Sequence, residues 1–559
     1  MASKKKNVDV IQQEVAAQLD RAKVEGVAAP ARESSSSSSS VVVSRGLGGA
    51  RWMALGVIFQ KVAGVLVNNL IVLRLASAET LGVASIRLEL VAATVLFLSR
   101  EGFRLAMTRG KFGKRTELAT AWVPAYVGVC LAFTASACCG QLFTDEEQLS
   151  FRLYCLAAGL EALSEPFHCL ALSRVEGAPR AAPEPLAFLA RDLCRGGLLV
   201  FFSFGEETST NTLSCLAVAQ VVYAVVLGLG RCGSWYVLVP RERRPSQLFP
   251  LSLRAAAAVD ADAVTFALTA GGLQTIIKHC LTQADKAFLW SSVSKFDAGV
   301  YAKIESYGSV VVRVVLQPVE EASRLIFAKI QGDTKDDLEE AFSIFFKAAQ
   351  YLGLIFAAVG AAYAPLGLRL LSLGRKKNSE EMVPLAMGLA AYCLFIPALA
   401  LNGILEALVN AVGTKRQVAG LSFVHVASAA AFICFARIAV LDNLAAPKIV
   451  LAMAAAYVLR IIGVAFLVAN VFSLKKEKKR FCFPRPSSAV LAAFALSCLA
   501  TQYSRRYFEA HESLRQAAVH ILLGGLVCLA TAAVALHTDR PFLRAAAAFF
   551  RGRSTPKTD

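Results

Sequence analysis

The apolar stretch RVVLQPVEEASRLIF, Arg313–Phe327, carries four charges: Arg313, Glu320, Glu321 and Arg324. At hydrocarbon depth each costs roughly 2.5–3.5 kcal/mol on insertion scales, so such groups face a partner or a wet interior. Arg313, Glu320 and Arg324 stand seven and eleven positions apart. On an α-helix these spacings return to within about 20° of one another. They predict one charged stripe rising roughly 16 Å, with Glu321 turned about 80° away. Pro318 removes a backbone hydrogen bond and predicts a kink between the charges. Guanidinium forks match phosphate oxygens, so the chemistry open to such a stripe is anion recognition.

Other apolar segments are marked in the same way. The second carries Arg87, Glu89, Arg100, Glu101 and Arg104; the fourth carries Glu161 and Glu165 before Pro166; the seventh carries Lys278, His279, Asp285 and Lys286; the tenth carries Asn402 and Glu406, one turn apart. Arg87, Arg100, Arg104, Lys278 and Arg313 are the candidate contacts for a phosphate or diphosphate. Glu101, Glu165, Asp285, Gln317, Glu320, Glu321, Arg324, Asn402 and Glu406 are candidates for polar lining or gating. Plainer readings stand beside these. Arg324 and Glu321 can snorkel to the interface. Arg100 and Arg104 can be positive-inside anchors, with Glu101 pairing locally to Arg104. His279 and His425 read as satisfied packing or lining residues. Together the charges predict a central polar cavity that accepts an anion.

The elements that must position these residues are membrane helices. The chain has 559 residues, 56% hydrophobic and only 18% charged. Ala54–Leu75, Ala119–Phe143, Leu213–Leu229, Leu352–Leu373, Leu385–Val412, Ile449–Phe472 and Val519–Leu536 can each cross about 30 Å of hydrocarbon at 1.5 Å per residue. The fold class expected is an all-α polytopic membrane protein of about 14 transmembrane helices. The net charge of +18 sits in short loops that alternate with acidic or neutral ones. That is positive-inside asymmetry, which places both termini and the basic loops in the cytosol and argues against nucleic-acid binding. GVASIRL (Gly82–Leu88) followed by REGFR (Arg100–Arg104) is weakly repeated as GVYAKIE (Gly299–Glu305) followed by EEASR (Glu320–Arg324). The repeat predicts two parallel six-helix lobes.

The expected organisation is a cytosolic tail over 1–45 containing the run Ser34–Ser40, a first lobe over 46–238 and a cytosolic linker over 239–261. A second lobe over 262–474, a basic cytosolic loop over 475–487, two extra helices over 488–540 and a tail over 541–559 complete it. No cleavable signal peptide is read at the start. The 14 cysteines show no metal-ligand spacing and are expected as free thiols. No phosphate-binding loop, GxSxG or HExxH pattern occurs, so neither an enzyme nor a cofactor is expected.

RLELVAATVLFLSREGFRLA (Arg87–Ala106), EALSEPFHCLA (Glu161–Ala171), GVYAKIESYGSVVVRVVLQPVEEASRLIFAKI (Gly299–Ile330) and LNGILEALVNAVGTK (Leu401–Lys415) closely resemble the eukaryotic Rft family. That family is the endoplasmic-reticulum branch of the multidrug/oligosaccharidyl-lipid/polysaccharide exporter superfamily. The resemblance covers about 50–540. It implies two six-helix bundles in a V around a central cavity, with two further helices. It also implies a role in asparagine-linked glycosylation, moving dolichyl-diphosphate-linked Man5GlcNAc2 from the cytosolic to the luminal leaflet without ATP hydrolysis. The partners implied are that glycolipid and membrane lipid; protein partners are not specified. Two alternatives stay open: an accessory protein that binds or chaperones the glycolipid without moving it, and an ion-coupled drug exporter using Glu320, Glu321 and Asp285.

Overall fold

In a computed structural model the chain forms two units, Met1–Ile58 and Phe59–Asp559. The structure describes residues 67–109, 114–174, 182–202, 209–239, 259–269, 282–330, 335–371, 379–440, 445–473, 481–511 and 514–550, with a few isolated positions between them. All lie in the second unit. Lys278, the tail 1–45, most of the linker 239–261, the basic residues 475–480 and the final residues 551–559 lie outside the described residues.

Every regular element among the described residues is helical. In chain order these are α1 (68–75), α2 (78–109), α3 (Lys114–Cys138), α4 (Asp145–Leu163), α5 (Glu165–Ser173), α6 (Pro183–Phe202), α7 (Ser209–Val237), α8 (Ala261–Leu268) and α9 (Ala284–Ser292). The second half continues with α10 (295–330), α11 (335–371), α12 (Ser379–Val412), α13 (Lys415–Ala439), α14 (Ala445–Ser473), α15 (Ser488–His511), α16 (Leu514–Thr538) and α17 (Arg540–Phe550). Eight helices among the described residues are long and apolar enough to cross a membrane. Phe133 and Phe423 stand 74% exposed on α3 and α13, a surface suited to hydrocarbon rather than water. This is an all-α, multi-pass membrane protein.

Local chemistry explains the helix ends. Thr144 and Glu147 form a reciprocal capping box at the start of α4, and Thr414 and Gln417 form another at α13. Each satisfies two backbone donors that a helix start leaves open. Ser294 accepts the Asp297 amide at 3.0 Å and starts α10. The expected fourth segment is broken at Ser164 into α4 and α5. Pro166 has no N–H to continue the ladder and suits the first turn of a new helix. The expected seventh segment does not form one helix; α8 and α9 are short and separate.

Three π-helical segments interrupt the long helices: Val83–Leu88 in α2, Val312–Leu316 in α10 and Phe356–Gly360 in α11. The second ends just before Pro318, so the predicted kink takes the form of a widened turn. It also overturns the single charged stripe. Each π turn inserts an extra residue and rotates the rest of the helix, so a seven-residue spacing no longer returns to the same face.

Two large apolar cores form, and Ala78 and Ile86 of α2 join the second of them. One gathers Leu88, Phe151 and Leu213; the other gathers Ile304, Phe342, Leu405 and Val464. Trp290 and Tyr307 pack against both. Near their N-termini, α2 and α10 cross on glycines. A Cβ on Gly299 would lie 1.6 Å from the Ala78 carbonyl oxygen, and one on Gly82 would lie 2.2 Å from that of Lys295. These glycines occupy matching positions in the weak repeat. Only their missing side chains let the backbones approach so closely. Lys295 Nζ donates to Glu147 at 2.6 Å beside this crossing.

The last helices dock on α11. Thr501 Oγ1 donates at 2.8 Å to the Ala358 carbonyl within the π turn, where the usual i+4 pairing is displaced. The Tyr363 hydroxyl donates to the His520 carbonyl, and Ala358, Val490 and Phe494 form a small core there.

Candidate functional site: a charged cavity between α2, α6, α9 and α10

A cavity of about 420 Å³ lies where these helices meet. α10 contributes Glu305, Ser306, Arg313 and Gln317; α6 contributes Arg191, Asp192 and Arg195; α2 and α9 contribute Glu89 and Lys286. Four cations thus face three carboxylates. Asp192, almost fully buried, receives Arg195 at 3.1 Å and Arg191 at 3.2 Å. One carboxylate is shared by two guanidinium groups, and Arg195 Nε is buried with no hydrogen-bond partner. Lys286 meets Glu89 at 3.4 Å. Arg313 sits on the π segment of α10 and is exposed into the cavity, with no ion pair among the described residues. Asn68 of α1 donates to Ser306 at 2.5 Å at the edge. Anion-binding capacity therefore resides first in Arg313, the cavity cation with no ion pair among the described residues.

The expected contacts divide. Arg313 and Gln317 line this cavity, although Gln317 also donates to Glu321 at 3.3 Å. Arg87 is half-buried on the π segment of α2 but does not line it. Arg100 and Arg104 are committed elsewhere. Arg100 donates to Glu161 at 2.6 Å, and Arg104 grips Glu165 through Nε at 2.5 Å and a terminal nitrogen at 2.9 Å. Glu165 is also met by the fully buried Arg231 of α7 at 3.1 Å, which donates to Ser164 at 3.0 Å as well. The network pins the α4–α5 break. A buried carboxylate needs such partners, and two arginines compensate it. The expected Glu101–Arg104 pair is present but long, at 4.0 Å, because Arg104 extends to the buried Glu165 instead.

Glu320 is separated from Arg313. It lines a small pocket of about 70 Å³ with Gly403, and Glu321 and Arg324 are exposed. Asn402 donates to Glu406 at 2.7 Å as the one-turn spacing predicts. Glu406 also accepts from Arg460 at 2.8 Å and pairs with His425 at 3.1 Å. His279 is satisfied by Thr94 at 2.9 Å and stacks on Phe97. Asp285 lines a second, larger cavity in the second half. All 14 cysteines are free.

Arg191, Asp192, Arg195, Glu305, Arg231 and Arg460 are the residues the sequence reading passed over. RDLCR, Arg191–Arg195, is as anomalous in an apolar helix as the Arg313 stretch. The same criterion applied to the fifth segment would have found it.

A family profile described as Rft protein matches residues 46–548. The Man(5)GlcNAc(2)-PP-dolichol translocation protein RFT1 of Xenopus tropicalis is 26% identical over 501 residues, covering 84% of this chain and 91% of that protein. The protein of the same name from Yarrowia lipolytica is 26% identical over 421 residues, covering 65% of this chain and 61% of that protein, less than two thirds of its length. Among solved structures, the lipid II flippase MurJ in an inward closed conformation is similar, with a TM-score of 0.59. At 12% identity over 87% of this chain and 99% of that one, this is a likeness of fold alone. With a profile matching nearly the whole membrane region, the chain belongs to the Rft protein family.

Proposed function

We propose that this protein moves dolichyl-diphosphate-linked Man5GlcNAc2 from the cytosolic to the luminal leaflet of the endoplasmic-reticulum membrane, with both termini cytosolic and without ATP hydrolysis. The relatives named for this translocation support the substrate class. The observation that carries the reading is the cavity lined by Arg191, Arg195, Lys286 and Arg313, with Arg313 exposed and without an ion pair among the described residues. A diphosphate needs multiple fork-like donors in a polar space. The isoprenoid tail can remain in lipid beside the helices. The close α2–α10 crossing on Gly82 and Gly299 supports a conformation loaded from the opposite, cytosolic side.

The test is leaflet exchange of the lipid-linked oligosaccharide in proteoliposomes. Arg313→Glu, checked for folding, is expected to abolish exchange while Arg313→Lys keeps part of it. Normal exchange by a well-folded Arg313→Glu variant removes the assignment. The modest cavity of about 420 Å³ favours a second reading, binding without transfer. Retained glycolipid binding with no exchange by the unaltered protein would select it.

A further inference from the structure

A second cavity of about 730 Å³ lies within the second half, bounded by α9, α10, α12, α13 and α14. It shares one wall with the cationic cavity: Glu305 lines both. Its chemistry is different. The wall carries tyrosine rings, Tyr301, Tyr392 and Tyr457, and the carboxylates of Asp285 and Glu305. Its arginine, Arg460, is already engaged by Glu406 and lies over the Tyr457 ring at 5.0 Å. The cationic charge is thus neutralised from behind while two carboxylates remain on the wall.

These features restrict the occupant. A diphosphate meets Asp285 and Glu305 here without the free Arg313 that faces it in the first cavity. A wholly apolar chain would offer the wall's two carboxylates no hydrogen bond. A bare metal ion leaves most of the volume unfilled. The size falls in the range of sites that enclose a small organic ligand, about 300–1,000 Å³. Carboxylates accept hydrogen bonds from hydroxyl groups, and aromatic walls match the C–H faces of pyranose rings. Glu305 makes the space continuous with the proposed diphosphate site.

We propose that this cavity is a glycan subsite, which receives part of the oligosaccharide while the cationic cavity receives the diphosphate. The subsite rests on the translocation reading above. Asp285 and Glu305 accept sugar hydroxyls, and Tyr457, the most exposed of the three tyrosines, supplies an apolar edge. Recognition is split across Glu305 into an anionic half and a neutral, polyhydroxylated half. Such a division rejects both a sugar-free polyprenyl diphosphate and a phosphate-free glycan as complete substrates.

Two probes separate the subsite from the function. The full-length protein in detergent is titrated with free, phosphate-free Man5GlcNAc2 and, separately, with geranylgeranyl diphosphate. Saturable binding of both is expected. Tyr457→Ala should weaken free-glycan binding roughly tenfold, the scale of one lost aromatic contact, and leave the diphosphate probe unaffected. Tyr457→Phe should retain glycan binding, which separates ring contact from misfolding. Arg313→Gln should do the converse, weakening only the diphosphate probe. Binding of the diphosphate with no saturable glycan binding overturns the subsite and leaves the translocation reading standing. Binding of neither overturns both. Displacement of the glycan by an organic cation such as tetraphenylphosphonium, with Asp285→Asn abolishing cation binding but not glycan binding, also overturns the subsite.

Discussion

Gly299→Ala tests the α2–α10 crossing most directly. The added Cβ would lie 1.6 Å from the Ala78 oxygen and 2.3 Å from its carbon. The tightest ordinary C···O contacts are about 3.3 Å, so α2 and α10 must part by roughly 1.7 Å. The obstructing atoms are backbone, so no side chain can rotate away. Overpacking of this kind costs about 1–3 kcal/mol, which reduces the closed arrangement roughly 5- to 150-fold relative to alternatives. The Lys295–Glu147 pair at 2.6 Å reports on the packing beside this crossing, because a zero-length carbodiimide couples only amines and carboxylates in contact. The expected result is at least a fivefold fall in the Lys295–Glu147 cross-link, read by peptide mass spectrometry, with slowed leaflet exchange. Gly140→Ala is the matched control, since nothing lies within 4 Å of a Cβ there. Unchanged cross-linking and exchange in Gly299→Ala would refute the claim that leaflet exchange depends on this crossing.

Arg231→Met should leave the buried Glu165 with only Arg104 and cost about 3–5 kcal/mol, measured as a lowered thermal midpoint in detergent. The double variant Arg231→Met, Glu165→Gln should recover much of that loss. Thr501→Val removes the donor to Ala358 and should cost about 1 kcal/mol, with faster proteolysis between α14 and α15. Asp192→Asn removes the charge that holds Arg191 and Arg195 together. It should raise affinity for geranylgeranyl diphosphate in binding titrations, because two guanidinium groups then lack their shared counter-ion.

The class of this protein was legible before any coordinates. Long apolar segments, charge-alternating loops and the GVYAKIE to EEASR stretch lead to a helical membrane protein of the Rft family, because hydropathy and short motifs are properties of the chain itself. The local Asn402–Glu406 bond and the capped starts of α4 and α10 were within reach for the same reason: their partners lie within one turn. The site was only partly legible. Arg313 and Gln317 stand on the cavity, but Arg100 and Arg104 look identical in sequence and are consumed by Glu161 and Glu165. Sequence position reports that a charge is buried, not which distant helix compensates it. The π turn at Val312–Leu316 split Arg313 from Glu320 because a single inserted residue changes every later direction on α10. Tertiary packing alone brought Arg191 and Arg195 to Arg313, set Asp285 and Glu305 among tyrosines, and pressed Gly82 and Gly299 against the opposing backbones. Each of these depends on distances between helices far apart in the chain, and those distances are determined by the shapes that pack between them.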